Sequence, residues 1–519
     1  MILMKRSMDV GSRAVHVASY VLFGKIFNFI VLGIALILVT RLLGPGQYGY
    51  YTLATAFASI FSVIGYFGVG SALQKFMAQY QQEKKKDEMD LLISNALVLV
   101  VISGLVMGAI FIMFDQAIAS YVYPHSQGMG YLIEAITAWI IIVMFFGTFY
   151  DALVGLGNGK AVAIVVSVQA LFQAAISIGL SYEWHSAIAP IYGLIFGYLL
   201  GFFAGLWIVF KQDQFSFRMP SYKYIKRILG FSAPLALSSA IGGFVGNLGL
   251  IYLGYFVLTS VIGNMGVAAR TNSLLSVIFD SISVSILPAF SAALANRGTA
   301  NKMGKIYSYT VYLAILLVSP LLFYIAALAT PFSYSIFGSG YAYAPLYISI
   351  AAIGLLIGIA GSYASTLLIS SGKVKPVLTS NVIVYLIALV LFIMLLPTFK
   401  GMGYALITFI LLPFMLDVAF IRNLSRLYRL DFRIRKMIGI LISNAILFIA
   451  LILLGTVIGG IGLLAVGAAL VLAAYPLLAV FTGGADIGDI NTLKELSHSI
   501  PSLGIVLRML ADYASIAIR

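Results

Sequence analysis

The sequence contains no cysteine and little charge. Its 519 residues include 0 Cys, and only 9% are Asp, Glu, Lys or Arg. The absence of cysteine excludes disulfide bonds, cysteine-ligated zinc, iron–sulfur clusters and thiol catalysis. The low charge excludes a soluble domain, in which about a quarter of the residues are charged. With 62% hydrophobic residues, the chain is expected to be an all-α polytopic membrane protein.

The sequence also lacks the patterns of common catalytic and cofactor sites. The four histidines are scattered, without the spacing of a metal site, and no GxxxxGK[ST] motif is present for ATP. The glycine-rich run at residues 242–249 lies inside an apolar segment and follows no strand, so it favours close helix packing over dinucleotide binding. We therefore expect no enzyme, no metal site and no cofactor.

Fourteen apolar segments are each long enough to cross a membrane. They cover about residues 16–40, 48–72, 91–114, 131–153, 161–181, 187–210, 228–257, 263–288, 307–330, 344–369, 376–397, 402–421, 437–457 and 461–482. The first two are joined by Leu43, Gly44, Pro45 and Gly46, a turn so short that the two helices must form an antiparallel hairpin.

Lys and Arg are distributed asymmetrically along this pattern. With the N-terminus in the cytoplasm, 27 of the 31 fall in cytoplasmic loops and tails, whereas the outer loops hold only Arg41 and Lys400. Cytoplasmic loops of membrane proteins carry such an excess. The distribution predicts a multi-pass protein of the cell membrane with both termini in the cytoplasm. It also attributes the formal charge of +14 to orientation and anionic lipid rather than to nucleic acid.

Reporter fusions test this topology. Fusions after Glu88 and Arg429 should be cytoplasmic, and fusions after His125, Trp184 and Gly340 should be external, because of the Lys and Arg distribution. The location of each reporter is measured by its compartment-specific activity. An external reporter after Arg429 would contradict the count of fourteen segments.

The two halves of the chain share a weak internal repeat. Residues 46–49 (GQYG) align with residues 263–266 (GNMG) at an offset of 217, and residues 159–160 align with residues 372–373 at an offset of 213. Two nearly equal offsets indicate that segments 1 to 6 and 7 to 12 share one structure, a known transporter plan. The predicted parts are an N-terminal lobe at 1–210, a cytoplasmic linker at 211–225, a C-terminal lobe at 226–422, two further helices at 437–482 and a cytoplasmic tail at 483–519.

Few ionisable residues fall inside the apolar segments. Lys25 lies in segment 1 with Asn28 on the same helical face, and Arg270 and Asp280 lie in segment 8. A charge near the centre of the bilayer costs at least about 2.5 kcal/mol, so such residues face a cavity or a partner unless they snorkel to the interface. We expect Lys25 and Arg270 to line a central cavity that attracts a diphosphate. Asp280 is expected either to pair with Arg270 through another helix or to bind a coupling ion.

Three other acids, Glu134, Asp151 and Asp417, lie near the ends of their segments. At that depth a side chain can extend to the headgroups. We therefore interpret these three acids as interface anchors.

Three stretches carry a family resemblance. They are Thr40–Leu53 (TRLLGPGQYGYYTL), Arg227–Ser239 (RILGFSAPLALSS) and Ile336–Leu346 (IFGSGYAYAPL). They resemble the signatures of the Wzx-like polysaccharide and oligosaccharide flippases, a branch of the multidrug/oligosaccharidyl-lipid/polysaccharide (MOP) exporter superfamily. The resemblance runs from about residue 10 to about residue 480, and its most specific piece is Arg41–Gly49. It implies about 14 transmembrane helices, two pseudo-symmetric six-helix lobes plus two C-terminal helices, and transport of lipid-linked sugars.

The resemblance also bears on the candidate site. In the related peptidoglycan-precursor flippases, basic residues on the first and eighth helices line a cationic cavity that holds the lipid diphosphate. Lys25 and Arg270 lie on the comparable segments of this chain. Residues 49–72 of segment 2 include no Lys or Arg, so the cavity of this chain would be less positive than that of the related flippases. Binding of the lipid through its sugar alone, without contact to the diphosphate, therefore stays open as an alternative. The further sugar-contact candidates, chosen for their aromatic and amide side chains, are Tyr66, Asn247 and Tyr252.

The sequence thus predicts a flippase that moves a lipid-linked oligosaccharide, a polyprenyl diphosphate sugar, to the outer leaflet by alternating access, for surface polysaccharide or glycoprotein glycan assembly. The expected partners are this lipid, membrane lipids, a coupling ion and glycan-assembly enzymes, but no nucleic acid. One alternative is a cation-coupled multidrug extruder of the same superfamily, which fits less well because segment 1 carries Lys25 and no acid. Another is a non-transporting membrane scaffold for glycosyltransferases.

Overall fold

The structure is a computed structural model that describes residues 2–126, 128–212, 215–276, 300–489 and 491. Within these residues the regular elements are helices, as a chain in lipid requires, because a helix satisfies its backbone hydrogen bonds within one segment. They are α1 (Ile2–Tyr66), α2 (Val69–Gln82), α3 (Lys86–Met113), α4 (Asp115–Val122), α5 (Gly130–Gly155), α6 (Gly159–Trp184), α7 (Ile188–Gln212), α8 (Tyr222–Leu253), α9 (described over 259–276), α10 (Ala300–Ala327), α11 (Ala329–Phe337), α12 (Ala344–Ile357), α13 (Ile359–Ser370), α14 (Val374–Leu406), a π-helical turn (Ile407–Leu411), α15 (Leu412–Ser425), α16 (Ile434–Leu454) and α17 (Gly460–Phe481).

The chain divides into two compact units, Met1–Gly263 and Asn264–Arg519. In the first unit, α2, α3, α5 and α8 enclose buried side chains such as Leu73 and Phe149. In the second unit, α16 and α17 pack on α10 around Tyr312, and the hydroxyl of Tyr475 donates to a backbone carbonyl of α10 at 2.6 Å. Each unit therefore has its own apolar core, and the predicted all-α class is confirmed.

The turn predicted at residues 43–46 interrupts α1. Gly44 has φ 66° and ψ 172°, which a residue with a Cβ adopts only at a cost, and a proline follows it. Residue 44 is therefore the point at which α1 divides into two helices.

The contacts of α1 show that the chain reverses at this break. Gly24 packs on the start of α6, whereas Gln47 accepts a hydrogen bond from a backbone N–H just after the end of α6. Tyr66 then bonds to Asp151 in the last turns of α5, beside the connection to α6. Gly24 and Tyr66 thus lie at one end of the unit and Gln47 at the other, which confirms the hairpin.

The second unit contains three further irregularities. The pair α12–α13 bends by 44° at Gly358. The backbone of α14 departs from helical geometry at Lys400 (φ 48°, ψ −131°), three residues after Pro397, and the π-helical turn lies seven residues farther on. Irregular backbone at membrane depth is tolerated where it is buried in protein or lines a cavity. The bend at Gly358 and the π-helical turn lie inside predicted crossings, so a site in the second unit is expected there, whereas Lys400 lies in the predicted outer loop.

Nine of the described helices are long and apolar enough to cross a membrane, and the bent pair α12–α13 is a tenth candidate. Two of the nine, Tyr20–Tyr66 with 47 residues and Val374–Ser425 with 52, far exceed the about 20 residues of one crossing. Each contains one of the breaks described above, so each accommodates two crossings. The total of fourteen stays a prediction.

The described part of the predicted linker packs on the first unit. The backbone N–H groups of Arg218 and Ser221 donate to Ser94 Oγ at 3.0 Å and to Asn95 Oδ1 at 2.8 Å. The guanidinium of Arg218 also pairs with Asp87 at 2.5 Å. The linker is therefore attached to the first turns of α3.

A buried carboxylate, Asp489, holds the segment that follows α17. Its side chain is 2% exposed, lies 3.1 Å from Arg433 and 2.6 Å from Lys436, and accepts a hydrogen bond from the Tyr312 hydroxyl at 2.8 Å. Asp486 and Asp489 each accept from the other's backbone N–H, which forms a capping box. Partial burial opposes ionisation of Asp486, but hydrogen bonds from Lys436 and Asp489 outweigh it and lower the pKa of Asp486 to about 2. These five residues form the tail clamp.

Candidate functional site

A polar row joins α1 to α6 inside the first unit. Asn28 Nδ2 donates to Gln169 Oε1 at 3.1 Å, and Gln169 Nε2 donates to Gln173 Oε1 at 2.5 Å. Gln169 is buried, and α7 lies close against it because Gly201 presents no side chain there. Lys25 is exposed one helical turn before Asn28. The structure thus places Lys25 beside a row of amides.

Tyr66 and Asp151 bond to each other in the first unit. The Tyr66 hydroxyl donates to Asp151 Oδ2 at 2.9 Å, and Gln74 Nε2 donates to Oδ1 at 2.7 Å. A Cβ at Gly70 would overlap this carboxylate. Asp151 is 8% exposed and both of its oxygens accept hydrogen bonds, so it is a packed residue rather than the expected interface anchor. The Tyr66 hydroxyl is engaged by it, and a sugar contact by Tyr66 stays a prediction.

The other two sugar-contact candidates lie on α8 and are partly exposed. Asn247 Nδ2 donates to the carbonyl of Gly243 in its own helix at 2.8 Å. The ring of Tyr252 packs edge-on against Phe256, with centroids 5.0 Å apart. Each therefore has a partner within the unit and an accessible portion, and a sugar contact stays a prediction for both.

Arg270 lies on α9 in the second unit, with an exposed side chain. Asn272, two residues later, points about 200° around the helix from it. Lys25 and Arg270 belong to different units, so their contact with one shared ligand stays a prediction. Asp280 lies outside the described residues.

Asn272 opens into a cavity of about 150 Å³, called here the second-unit cavity. It lies between α9, α12, α13, the π-helical turn and α15, where the bend at Gly358 contributes to the wall. Within the described part of the chain, the buried Oδ1 of Asn272 has no hydrogen-bond partner. A buried acceptor of this kind usually has a partner, so it marks the place where a polar ligand or water would bind. The polar residues of the wall are Asn272, Ser276, Ser362, Tyr363 and Thr408.

Several of these polar residues are not among those predicted from the sequence, although the spacing of most of them indicates a shared helical face. Gln169 and Gln173 are four residues apart in an apolar segment, so they share a helical face, and Asn272 and Ser276 have the same spacing. Thr408 gave no such signal because it lies in the π-helical turn, which shifts the faces of the helix around it.

The polar row of the first unit and the second-unit cavity both present side chains that are suited to binding a ligand. Amides and hydroxyls bind the hydroxyls of a sugar, and Lys or Arg forms charge-assisted hydrogen bonds with a phosphate. Over the described ranges, no three His, Asp or Glu residues come together as a metal ion would require.

The sequence was compared with models of protein families and with curated protein sequences. A family model described as "Polysaccharide biosynthesis protein" matches residues 15–294, more than half of the chain. No curated protein sequence matches the chain.

Several solved structures share the fold. A lipid II flippase, MurJ, in an inward closed conformation superposes with a TM-score of 0.72 at 15% identity, over 90% of this chain and 98% of that one. An inward-facing multidrug resistance MATE family transporter of the MOP superfamily gives 0.61 at 14% identity, over 77% and 95%. A MOP superfamily transporter from Pyrococcus furiosus gives 0.54 at 15% identity, over 80% and 95%. At these identities the likeness shows a common fold.

Proposed function

Because the chain belongs to the polysaccharide biosynthesis protein family, a family of membrane flippases, we propose that it moves a lipid-linked oligosaccharide from the cytoplasmic to the outer leaflet. The family match over residues 15–294 carries this proposal. The fold shared with a lipid II flippase over 90% of the chain supports it. The lipid is a polyprenyl diphosphate, and its sugar chain is destined for surface polysaccharide or a glycoprotein glycan.

In this proposal Lys25 and Arg270 bind the diphosphate in turn or together as the lobes open to one side of the membrane and then to the other. Both side chains are exposed, so each can reach a ligand. The amide of Asn28, one turn from Lys25, would bind a sugar hydroxyl near the phosphate. The second-unit cavity is smaller than the about 300 Å³ of a typical ligand pocket, so it would take one sugar unit at most.

Transport by reconstituted protein tests the proposal. The purified chain is placed in vesicles that contain a polyprenyl diphosphate oligosaccharide, and an impermeant glycosidase measures how much of the sugar becomes accessible. The protein should equilibrate the lipid across the bilayer. It should act more slowly on the same oligosaccharide carried by a monophosphate, because one phosphate offers fewer charged oxygens to the two cations.

The multidrug alternative rests on the fold shared with a MATE transporter. Vesicles loaded with a fluorescent organic cation test it in the same preparation. Efflux of the dye without movement of the lipid would favour the extruder and contradict the flippase. If neither the dye nor the lipid moves, and glycosyltransferases are still recruited to the membrane, the scaffold is favoured.

A further inference from the structure

Asp417 is a buried acid of the second unit that takes no part in the diphosphate binding proposed above. It lies on α15, eight residues or about 12 Å before Ser425, at the predicted cytoplasmic end of that helix. Its exposure is only 8%, so it does not extend to the headgroups as its sequence position suggested. An ionisable residue inside a membrane segment calls for a functional explanation.

One peptide group of α13 connects Asp417 to a third helix. The N–H of Gly361 donates to Asp417 Oδ1 at 2.7 Å. The carbonyl of the same peptide group, which belongs to Ala360, accepts a hydrogen bond from the Tyr307 hydroxyl at 2.8 Å. A Cβ at Gly361 would overlap Asp417 Oδ1. The peptide group is thus held from α10 on one side and from α15 on the other.

The contact lies in the first turn of α13, directly after the 44° bend at Gly358. The N–H groups of a first turn lack partners within their own helix, and the helix dipole makes that end favourable for negative charge. Ionised Asp417 therefore acts as a cap supplied by a neighbouring helix. The cap stabilises the bend, because a continuous helix would use the Gly361 N–H within its own backbone.

Apart from the Gly361 N–H, few groups around Asp417 can stabilise the charge of its carboxylate. Among the described residues, no Lys, Arg or His pairs with it, and Oδ2 accepts no hydrogen bond. Tyr307, from α10, is a titratable neighbour, and its hydroxyl donates to the carbonyl of Ala360 rather than to the carboxylate. Asp151 of the first unit differs, because both of its oxygens accept hydrogen bonds. Asp417 thus has one oxygen ready to take a proton.

We propose that Asp417 binds and releases the proton that drives transport, and that its charge controls the bend between α12 and α13. A hydronium ion gives its proton to Oδ2 and becomes water, and the carboxylate becomes a neutral carboxylic acid. Oδ1 still accepts from Gly361, but the bond is no longer charge-assisted and is about half as strong. The pair α12–α13 then straightens, and the second-unit cavity, whose wall includes Gly358 and Ser362, changes shape.

Two spin labels measure the bend directly. The chain has no cysteine, so Leu346→Cys and Ile369→Cys place labels at exposed positions near the two ends of the α12–α13 pair. The full chain is measured in lipid nanodiscs at acidic and alkaline pH. Straightening a 44° bend over this length should increase the distance by about 2 to 3 Å. The increase should appear on acidification.

Three variants assign the effect to the proposed site. Asp417→Asn should show the longer distance at both pH values, since its amide keeps the shape of the acid without the charge. Gly361→Ala, whose methyl group displaces the carboxylate, should also remove the pH response, and it serves if Asp417→Asn fails to fold. Two control variants should keep the pH response. They are Asp151→Asn and Gly179→Ala, and the added methyl group of Gly179→Ala meets open space. An unchanged distance in the wild type, or a normal response in Asp417→Asn, would overturn the proposal.

The claim that Asp417 carries the driving proton rests on the proposed transport function. The measurement of the α12–α13 bend needs no substrate, so it can succeed or fail independently of the proposed transport function. In vesicles, a pH gradient should accelerate flipping by the wild type and leave Asp417→Asn unaffected. Flipping by the wild type at equal rates with and without the gradient would refute the driving role, even if the lipid is confirmed as substrate.

Discussion

Lys25→Ala and Arg270→Ala should each slow flipping of the lipid-linked oligosaccharide by about tenfold or more. A diphosphate carries at least two negative charges, and charge-assisted hydrogen bonds to Lys and Arg are about twice as strong as neutral ones. The expected result in cells is accumulation of the lipid on the cytoplasmic leaflet while the amount of protein in the membrane stays near normal. In vesicles, the rate at which sugar becomes accessible to an impermeant glycosidase gives the same comparison.

Two matched variants separate this role from simple anchoring. Lys25→Arg should retain part of the activity, because the charge persists although the geometry of its donors differs. Arg41→Ala should be mild, since Arg41 lies beside the predicted outer turn, where a basic side chain serves as an interfacial anchor. If the Lys25→Ala, Arg270→Ala double variant is expressed normally and flips its lipid at the wild-type rate, the two residues are anchors and the cationic cavity is wrong.

Asp489→Ala should release the segment after α17 and destabilise the second unit by about 3 kcal/mol. The carboxylate is 2% exposed and is shared by Arg433 and Lys436 at the start of α16, so its removal takes a buried partner from both cations, although Lys436 keeps its contact with Asp486. Breaking a buried ion pair from one side costs about 3 to 5 kcal/mol, and the partial exposure of both cations places this case at the low end. The free energy of unfolding in detergent measures the loss.

Asp486→Asn is the matched control for the tail clamp. It removes a charge that also contacts Lys436, at 2.5 Å, but its side chain is 58% exposed and the amide oxygen can still cap the following turn. The lowered pKa of Asp486 keeps the wild-type residue ionised at neutral pH, so the comparison does test a charge. The effect should be below about 1 kcal/mol. Equal losses in the two variants would show that burial of Asp489 is not what matters.

The sequence by itself determined the class of the protein, its hairpin and its candidate cations. Long apolar runs, a Gly–Pro turn and the distribution of Lys and Arg are local or additive properties, so they can be read without knowing which helices meet. Lys25 and Asn28 could be placed on one face for the same reason, since the helical period alone sets that relation. Whether Lys25 and Arg270 share a ligand is a different kind of question, which spacing does not answer.

Only the tertiary structure decided what the intramembrane acids contact. Asp151 and Asp417 occupy similar depths in apolar segments, and their positions suggested the same interfacial role for both. Their partners lie far away in the sequence, 85 residues for Tyr66 and 56 for Gly361, in helices that nothing local identifies as neighbours. The depth of a residue is set by its position along its own helix, whereas its partner is set by how helices pack. The missing Cβ atoms of Gly70 and Gly361 make room for the two carboxylates, and that need exists only once the helices are in contact.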